Sequence, residues 1–210
     1  MQQFEPLKPE QFYHIYNHGV GGRNLFGEPE NYEYFLGLYD KYISPIAETY
    51  AWCLMPNHFH LLVRINVFSD FTPDRVRNPV RGKIDKNDNE LKIGTPSQQF
   101  SKLFNSYAQA YNKYHKTRGA LFERPFKRKL IDNDNYLQRV VLYIHNNPVH
   151  HGFCKHPLEY PWSSYLSCLS NKSTKLQRSA VIEWFDGEKN FKTGHDEHFN
   201  RKKMDEWLEL

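Results

Sequence analysis

No stretch of this 210-residue chain approaches the roughly 18 consecutive apolar residues that a membrane-spanning helix needs. Its opening, MQQFEPLKPEQ, has neither the basic nor the apolar region of a signal peptide. The expectation is a soluble, cytoplasmic protein with no membrane partner. Cysteine is scarce. Cys53, Cys154 and Cys168 are odd in number and nowhere spaced as CxxC, which argues against a disulfide framework and against a thiolate zinc site. Gly19, Gly21 and Gly22 are not followed by the lysine and hydroxyl residue of GxxxxGK[ST], so they form no P-loop. The formal net charge is only +4, and its distribution says more than its sum.

Residues 113–129 carry seven Lys/Arg against Glu123 alone, whereas 183–210 carry eight Asp/Glu against five Lys/Arg; a basic patch is thus built in locally. Hydrophobic residues make up 39% of the chain, enough to exclude disorder throughout. Aromatics reach 16%, and Tyr and Phe can both fill a core and stack on nucleobases.

Read for organisation, FYHIYNHG (12–19) alternates and is rich in strand formers, so it predicts a first strand. A helix is expected from about Glu30 to Ile46, where Tyr34, Phe35, Leu38, Tyr42 and Ile46 recur at helical spacing, with Pro45 near its end. ETYAWCLM and HFHLLVRI, separated by Pro56 and Asn57, predict a hairpin. Residues 67–96 hold six Lys/Arg, five Asp/Glu and three prolines without periodicity, and predict a long, mobile, solvated insertion. A second helix is expected from Pro96 or Ser97 to about His115, FKRKLI (126–131) as a strand, and a third helix from Asp132–Asp134 that stops before Pro148. The order β, α, β, β, α, β, α predicts an α+β protein: a ferredoxin-like split βαβ core whose antiparallel sheet is covered by helices on one face, leaving the other free for a ligand. Residues 1–147 would form the core and 148–210 an appendage packed on it, with helical stretches near 178–186 and 196–209.

In His58-Phe59-His60 the strand period of two puts both imidazoles on one face and Phe59, Leu61 and Val63 on the other. Two such histidines are half of a divalent-metal site, or simply two histidines on a partly solvated face. In YIHNN (143–147), Tyr143 and Asn147 are four residues apart and share a helix face. A phenol and an amide oxygen can then approach the same ion. Two His nitrogens and an amide oxygen leave positions open for phosphate and water, as Mg²⁺ or Mn²⁺ chemistry requires. Taken alone, Tyr143 reads first as an ordinary core aromatic.

CLMPNHFHLLV (53–63), the later YLxRVVxYIHNNPVxHG (136–152) and PWSSY (161–165) resemble, in sequence and order, the tyrosine-dependent HUH transposases of the IS200 type, in the branch associated with repetitive extragenic palindromes (REP). This resemblance implies that His58 and His60 are the metal ligands, that Tyr143 is the nucleophile and that Asn147 is the third ligand. It also implies attack on a single-stranded DNA phosphate, giving a 5′-phosphotyrosine and a free 3′-OH. The partner would be single-stranded or hairpin DNA, the cofactor Mg²⁺ or Mn²⁺, and the active species a monomer or a homodimer. Two other functions fit the same residues: a domesticated protein that binds a hairpin without cutting it, and a metal-dependent phosphoesterase that activates water.

Tyr107, Tyr111 and Tyr114 are rival nucleophiles, set lower because Tyr107 and Tyr111 share a stripe with Phe100, Leu103 and Phe104 and none has an amide one turn on. His145 lies about 160° from Asn147 around a helix and is expected to be structural or to touch DNA. His150, His151, Cys154 and His156 lack the paired thiolate of a zinc site. Lys113, Lys116, Arg118, Arg124, Lys127, Arg128 and Lys129, interleaved with Phe122 and Phe126, are candidates for an electrostatic track along a DNA backbone.

Overall fold

Local chemistry explains where the main elements begin and end. The computed structural model describes residues 6–67, 94–196 and 206. Strand β1 (Phe12–His18) leads to helix α1 (Pro29–Tyr42), which has Pro29 at its first turn. Strands β2 (Ala47–Met55) and β3 (His58–Ile65) form the expected hairpin around Pro56 and Asn57. Helix α2 (Pro96–Tyr114) opens on a capping box, in which Thr95 accepts from the Gln98 amide and Gln98 returns a bond to the Thr95 N–H. Strand β4 (Lys127–Ile131) and helix α3 (Leu137–His150) follow. The four strands lie in the order β2-β3-β1-β4 and all pair antiparallel. With the element order βαββαβ this is the ferredoxin-like arrangement predicted from sequence.

Alternation along the strands sorts two cores. Tyr13 and Ile15 of β1 and Phe59, Leu61, Val63 and Ile65 of β3 pack with Phe35 of α1 and with Phe100, Leu103, Phe104 and Tyr107 of α2. Strand β2 changes sides at a bulge between Thr49 and Ala51. Ala47 packs with the α1/α2 core, whereas Ala51, Cys53 and Met55 belong to the other. One inserted residue reverses the parity of every side chain beyond it.

Three expectations need correction. The second face of the sheet is not left free. Helix α3, with α4 (Tyr165–Leu169), α5 (Arg178–Trp184) and α6 (Glu188–Asp196), forms a second core on it from Val140, Val141, Ile144, Tyr165, Val181, Phe185 and Phe191. These segments lie late in the chain and reach the sheet only through tertiary contacts, which local periodicity does not report. Helix α3 also does not stop before Pro148 but contains it. Pro148 takes away one backbone donor close to the helix end, where few bonds remain to be lost. A Schellman closure then ends the helix: Phe153 N–H donates to Pro148 O and Gly152 N–H to Val149 O, with Gly152 at φ 74° supplying the left-handed turn. Helix α1 ends at Tyr42, before Ile46, and β2 already begins at Ala47. The predicted insertion at 67–96 and the helix at 196–209 fall almost wholly outside the described residues. Among those described, no helix is long and apolar enough to cross a membrane.

Candidate active site

Alternation in β3 turns His58 and His60 away from the Phe59 core and toward α3. From α3, Tyr143 and Asn147, one turn apart, face the same place. His58 Nε2 lies 2.9 Å from Asn147 Oδ1. The His60 and Tyr143 rings meet edge to face at 5.4 Å. All four side chains are buried: Asn147 is 0% exposed, Tyr143 and His60 2%, and His58 4%. The four residues proposed from sequence as nucleophile and ligands are thus brought together, and the histidines are not on the partly solvated face that HxH by itself suggests.

A second layer of side chains, not foreseen from sequence, comes mostly from β1. His14, Tyr16 and His18 alternate onto the same face, with Tyr16 opposite His60 and His18 opposite His58. His14 Nε2 lies 2.9 Å from His60 Nδ1, and Asn57 Oδ1 lies 2.8 Å from His58 Nδ1. The His151 ring stands 5.0 Å from that of His58. The sequence signal existed: HxYxH in β1 repeats the alternation of the HxH in β3. Which strands pair, and in what register, decides that the two motifs face each other.

This packing sets charge. Burial pushes the His14 imidazole down to about 3. It holds His60 well below its ordinary value, with His14, His58, His18 and His151 lowering it further. His18 is lowered by burial, with Glu123 opposing and Lys127 reinforcing the shift. At neutral pH His14 and His60 are therefore uncharged, the form in which an imidazole nitrogen can bind a metal.

The donor set fits a divalent cation. With Asn57 taking the Nδ1 proton of a neutral His58, Nε2 is the ligating nitrogen. Asn147 can meet its lone pair through the amide N–H, the Nδ2 having no other partner among the described residues, and a cation bound at His58 Nε2 would displace this contact. The amide oxygen then remains as a donor. Among the described residues no three His, Cys, Asp or Glu side chains are placed to hold a metal ion, so a cation here depends on that oxygen beside the His58 and His60 nitrogens.

No protein-family model matches the chain. It is 27% identical over 120 residues to a protein of Haemophilus influenzae described as a REP-associated tyrosine transposase, the match taking in 56% of this chain and 58% of the relative. The chain thus spans a little over half the length of that relative. The solved structure of a REP-associated tyrosine transposase bound to a REP hairpin covers 81% of this chain and 87% of its own, with a TM-score of 0.58 at 16% identity. The chain shares the fold of that solved transposase. The resemblance to REP-associated tyrosine transposases read from the sequence motifs is borne out by the curated relative, and the solved one adds the fold.

Within this fold the rival tyrosines lie on the other side of the sheet from His58 and His60. Tyr107 donates to Leu25 O at 2.5 Å, Tyr111 to Asn24 O at 3.0 Å and Tyr114 to Glu28 at 3.1 Å. All three belong to the α2 layer, with the sheet between them and His58. His145 is buried among His195 and Ser164 and is structural. The basic stretch divides. In β4, Lys127 and Lys129 stand opposite Tyr16 and His14, on the face that carries the histidines, and Lys127 Nζ lies 5.8 Å from the Tyr16 ring centre. Arg128 points to the opposite face, where it donates to Ser97 at 2.9 Å and covers Phe126 at 4.3 Å. Arg124 donates to Asn105 of α2 at 3.3 Å, while Lys113, Lys116 and Arg118 are exposed in and after the last turn of α2. The seven residues thus form no single row, and Lys127 and Lys129 are the two that share the histidine face.

Proposed function

We propose that this chain is a metal-dependent, single-strand DNA endonuclease and strand transferase. It acts at hairpin or palindromic DNA, with Tyr143 as nucleophile, His58, His60 and Asn147 as ligands of Mg²⁺ or Mn²⁺, and the β4 lysines among the backbone contacts. The observation that carries this reading is the convergence of one tyrosine, two histidines and one amide, contributed by β3 and α3, in a single buried cluster on the sheet. The hairpin held by the solved relative supports hairpin DNA as the substrate class.

Tyr143 Oη attacks the phosphorus, the P–O3′ bond breaks, the phenolic proton leaves, and the departing 3′ oxygen takes up a proton. The products are a 5′-phosphotyrosine and a 3′-OH. The ester keeps the energy of the cleaved linkage, so attack by another 3′-OH rejoins the strand without an external source. A divalent cation held by His58, His60 and Asn147 would supply charge withdrawal from the phosphoryl oxygens, which would offset the weak nucleophilicity of a phenol. The protein's own share is to hold the Tyr143 ring against His60 and His14 and to keep these imidazoles neutral.

Denaturing electrophoresis of the protein with labelled hairpin oligonucleotides and Mn²⁺ tests this. Wild type should yield a cleaved strand and a covalent adduct; Tyr143→Phe should bind the hairpin and give neither. Binding without cleavage by wild type would mark a hairpin-binding protein. Cleavage with no adduct trapped at any time would mark activated water.

A further inference from the structure

His14 is completely buried in β1, diagonally across the sheet from His60, and the proposed chemistry gives it no role beyond packing against Tyr143. The two imidazoles have nitrogens 2.9 Å apart, planes within 10° and centroids 5.0 Å apart. Their hydrogen bond therefore lies close to both ring planes, along an N–H of one and a lone pair of the other. Tyr16 stacks on His14 at 5.0 Å, and Tyr143 meets the His14 ring edge to face at 6.0 Å, so the ring is held from two directions.

Only one proton fits between His14 Nε2 and His60 Nδ1, which ties the tautomers of the two rings together. If His60 carries it, His60 Nε2 is a bare lone pair and the proton of His14 sits on Nδ1. If His14 carries it, the proton of a neutral His60 sits on Nε2 and blocks that nitrogen as a ligand. Moving from one state to the other shifts a proton within each ring and changes the total on neither. His14 Nδ1 is buried with no partner among the described residues, so no described side chain holds the pair in either state, and a cation at His60 Nε2, which needs the bare lone pair, would select the first. Resting on the metal-dependent reading above, we propose that His14 is a positioning residue for the metal ligand His60. It accepts the Nδ1–H of His60 and so presents His60 Nε2 to the cation.

The test measures Mn²⁺ uptake by the DNA-free protein, from the loss of the free-Mn²⁺ electron paramagnetic resonance signal. His14→Phe keeps a ring without an acceptor and should weaken Mn²⁺ binding about 10- to 100-fold. His14→Gln returns an acceptor oxygen near the position of Nε2 and should bind within a few-fold of wild type. A His14→Phe protein with native near-ultraviolet circular dichroism and wild-type Mn²⁺ affinity would overturn the inference while leaving the metal-dependent reading intact. Wild type that takes up no Mn²⁺ would overturn both. Should His14→Phe not fold, ¹⁵N–¹H imidazole correlations of wild type saturated with Mg²⁺ decide. His60 protonated on Nδ1 supports the proposal, and His60 protonated on Nε2 sinks it.

Discussion

Asn147 and His58 are 89 residues apart in sequence and 2.9 Å apart in space. Their contact fixes the rotation of α3 against β3, and that rotation also brings Tyr143 to His60. On the proposed reading, Asn147→Ala would remove one of several ligands and leave the nucleophile, Tyr143, in place. The Mn²⁺ concentration for half-maximal cleavage should rise about 10-fold or more, with the rate partly restored at high metal. Cleavage rates across a Mn²⁺ series check this, and a loss that no metal concentration repairs would make Asn147 structural.

Binding of hairpin DNA should weaken steeply with salt, because each phosphate contact releases counterions. Replacing Lys127 and Lys129 together by Ala should reduce the slope of log K against log salt by about 1.4, at about 0.7 per single-strand contact. Arg128→Ala should leave the slope unchanged and lower the melting temperature instead, since Arg128 is engaged by Ser97 and Phe126 on the other face. Fluorescence anisotropy across a salt series separates the two variants.

Phe59 is fully buried and packs against Phe35 and Phe104, with Phe122 edge to face. Phe59→Ala should cost about 3–5 kcal/mol of stability. His60→Ala should abolish the proposed cleavage but cost less stability, though not nothing: it opens a smaller void and removes the hydrogen-bond partner of His14. Chemical denaturation of the two variants gives the comparison, and a greater loss for His60→Ala would mark it as a structural histidine first.

Acid should loosen the second core before it reaches the ordinary carboxylate range. His145 Nδ1 lies 3.0 Å from His195 Nε2, and His195 Nδ1 lies 2.7 Å from Phe191 O. Burial drives His195 down to about 4; His156 lowers it further, while Phe191 O and Asp196 oppose the shift. His145 is held well below its ordinary value by burial and then by His195. Since the unfolded chain takes up these protons near pH 6.5 and the folded one does not, stability is complete above pH 6.5 and is lost as the pH falls from there. His195 alone accounts for roughly 3 kcal/mol between pH 6.5 and 4. Thermal unfolding from pH 7 to 4 should show a shallower fall for His195→Gln than for wild type; equal falls would refute the assignment.

Local period carried the sequence reading a long way. The alternation of HFHLLV and the two residues between it and ETYAWCLM suffice to place His58 and His60 on one face, and the i, i+4 spacing of Tyr143 and Asn147 does the same on a helix. What local pattern could not supply was pairing. His14 matters because β1 lies beside β3 with Tyr16 opposite His60, and no window of residues contains that fact. Helix α6 was missed for a related reason: EKNFKTGHD has few apolar residues and a glycine, and buries only Phe191 and His195. It is held by the contacts those two make with α3, α4 and α5 rather than by its own propensity.

PWSSY, whose role was not legible in the sequence, lies along the outer edge of β2. Leu54 N–H donates to Trp162 O, Ser164 N–H to Trp52 O, and Trp52 N–H to Ser164 Oγ at 2.8 Å; further along, Gln177 N–H donates to Thr49 O. An edge strand nine residues long and rich in Tyr, Trp, Thr and Leu is a template on which a strand of another molecule can form. The segment after α3 occupies that template within its own chain. A chain that ended before Pro161, by truncation or by stalled synthesis, would present the bare edge of β2 to its neighbours and would self-associate before any question of DNA arose.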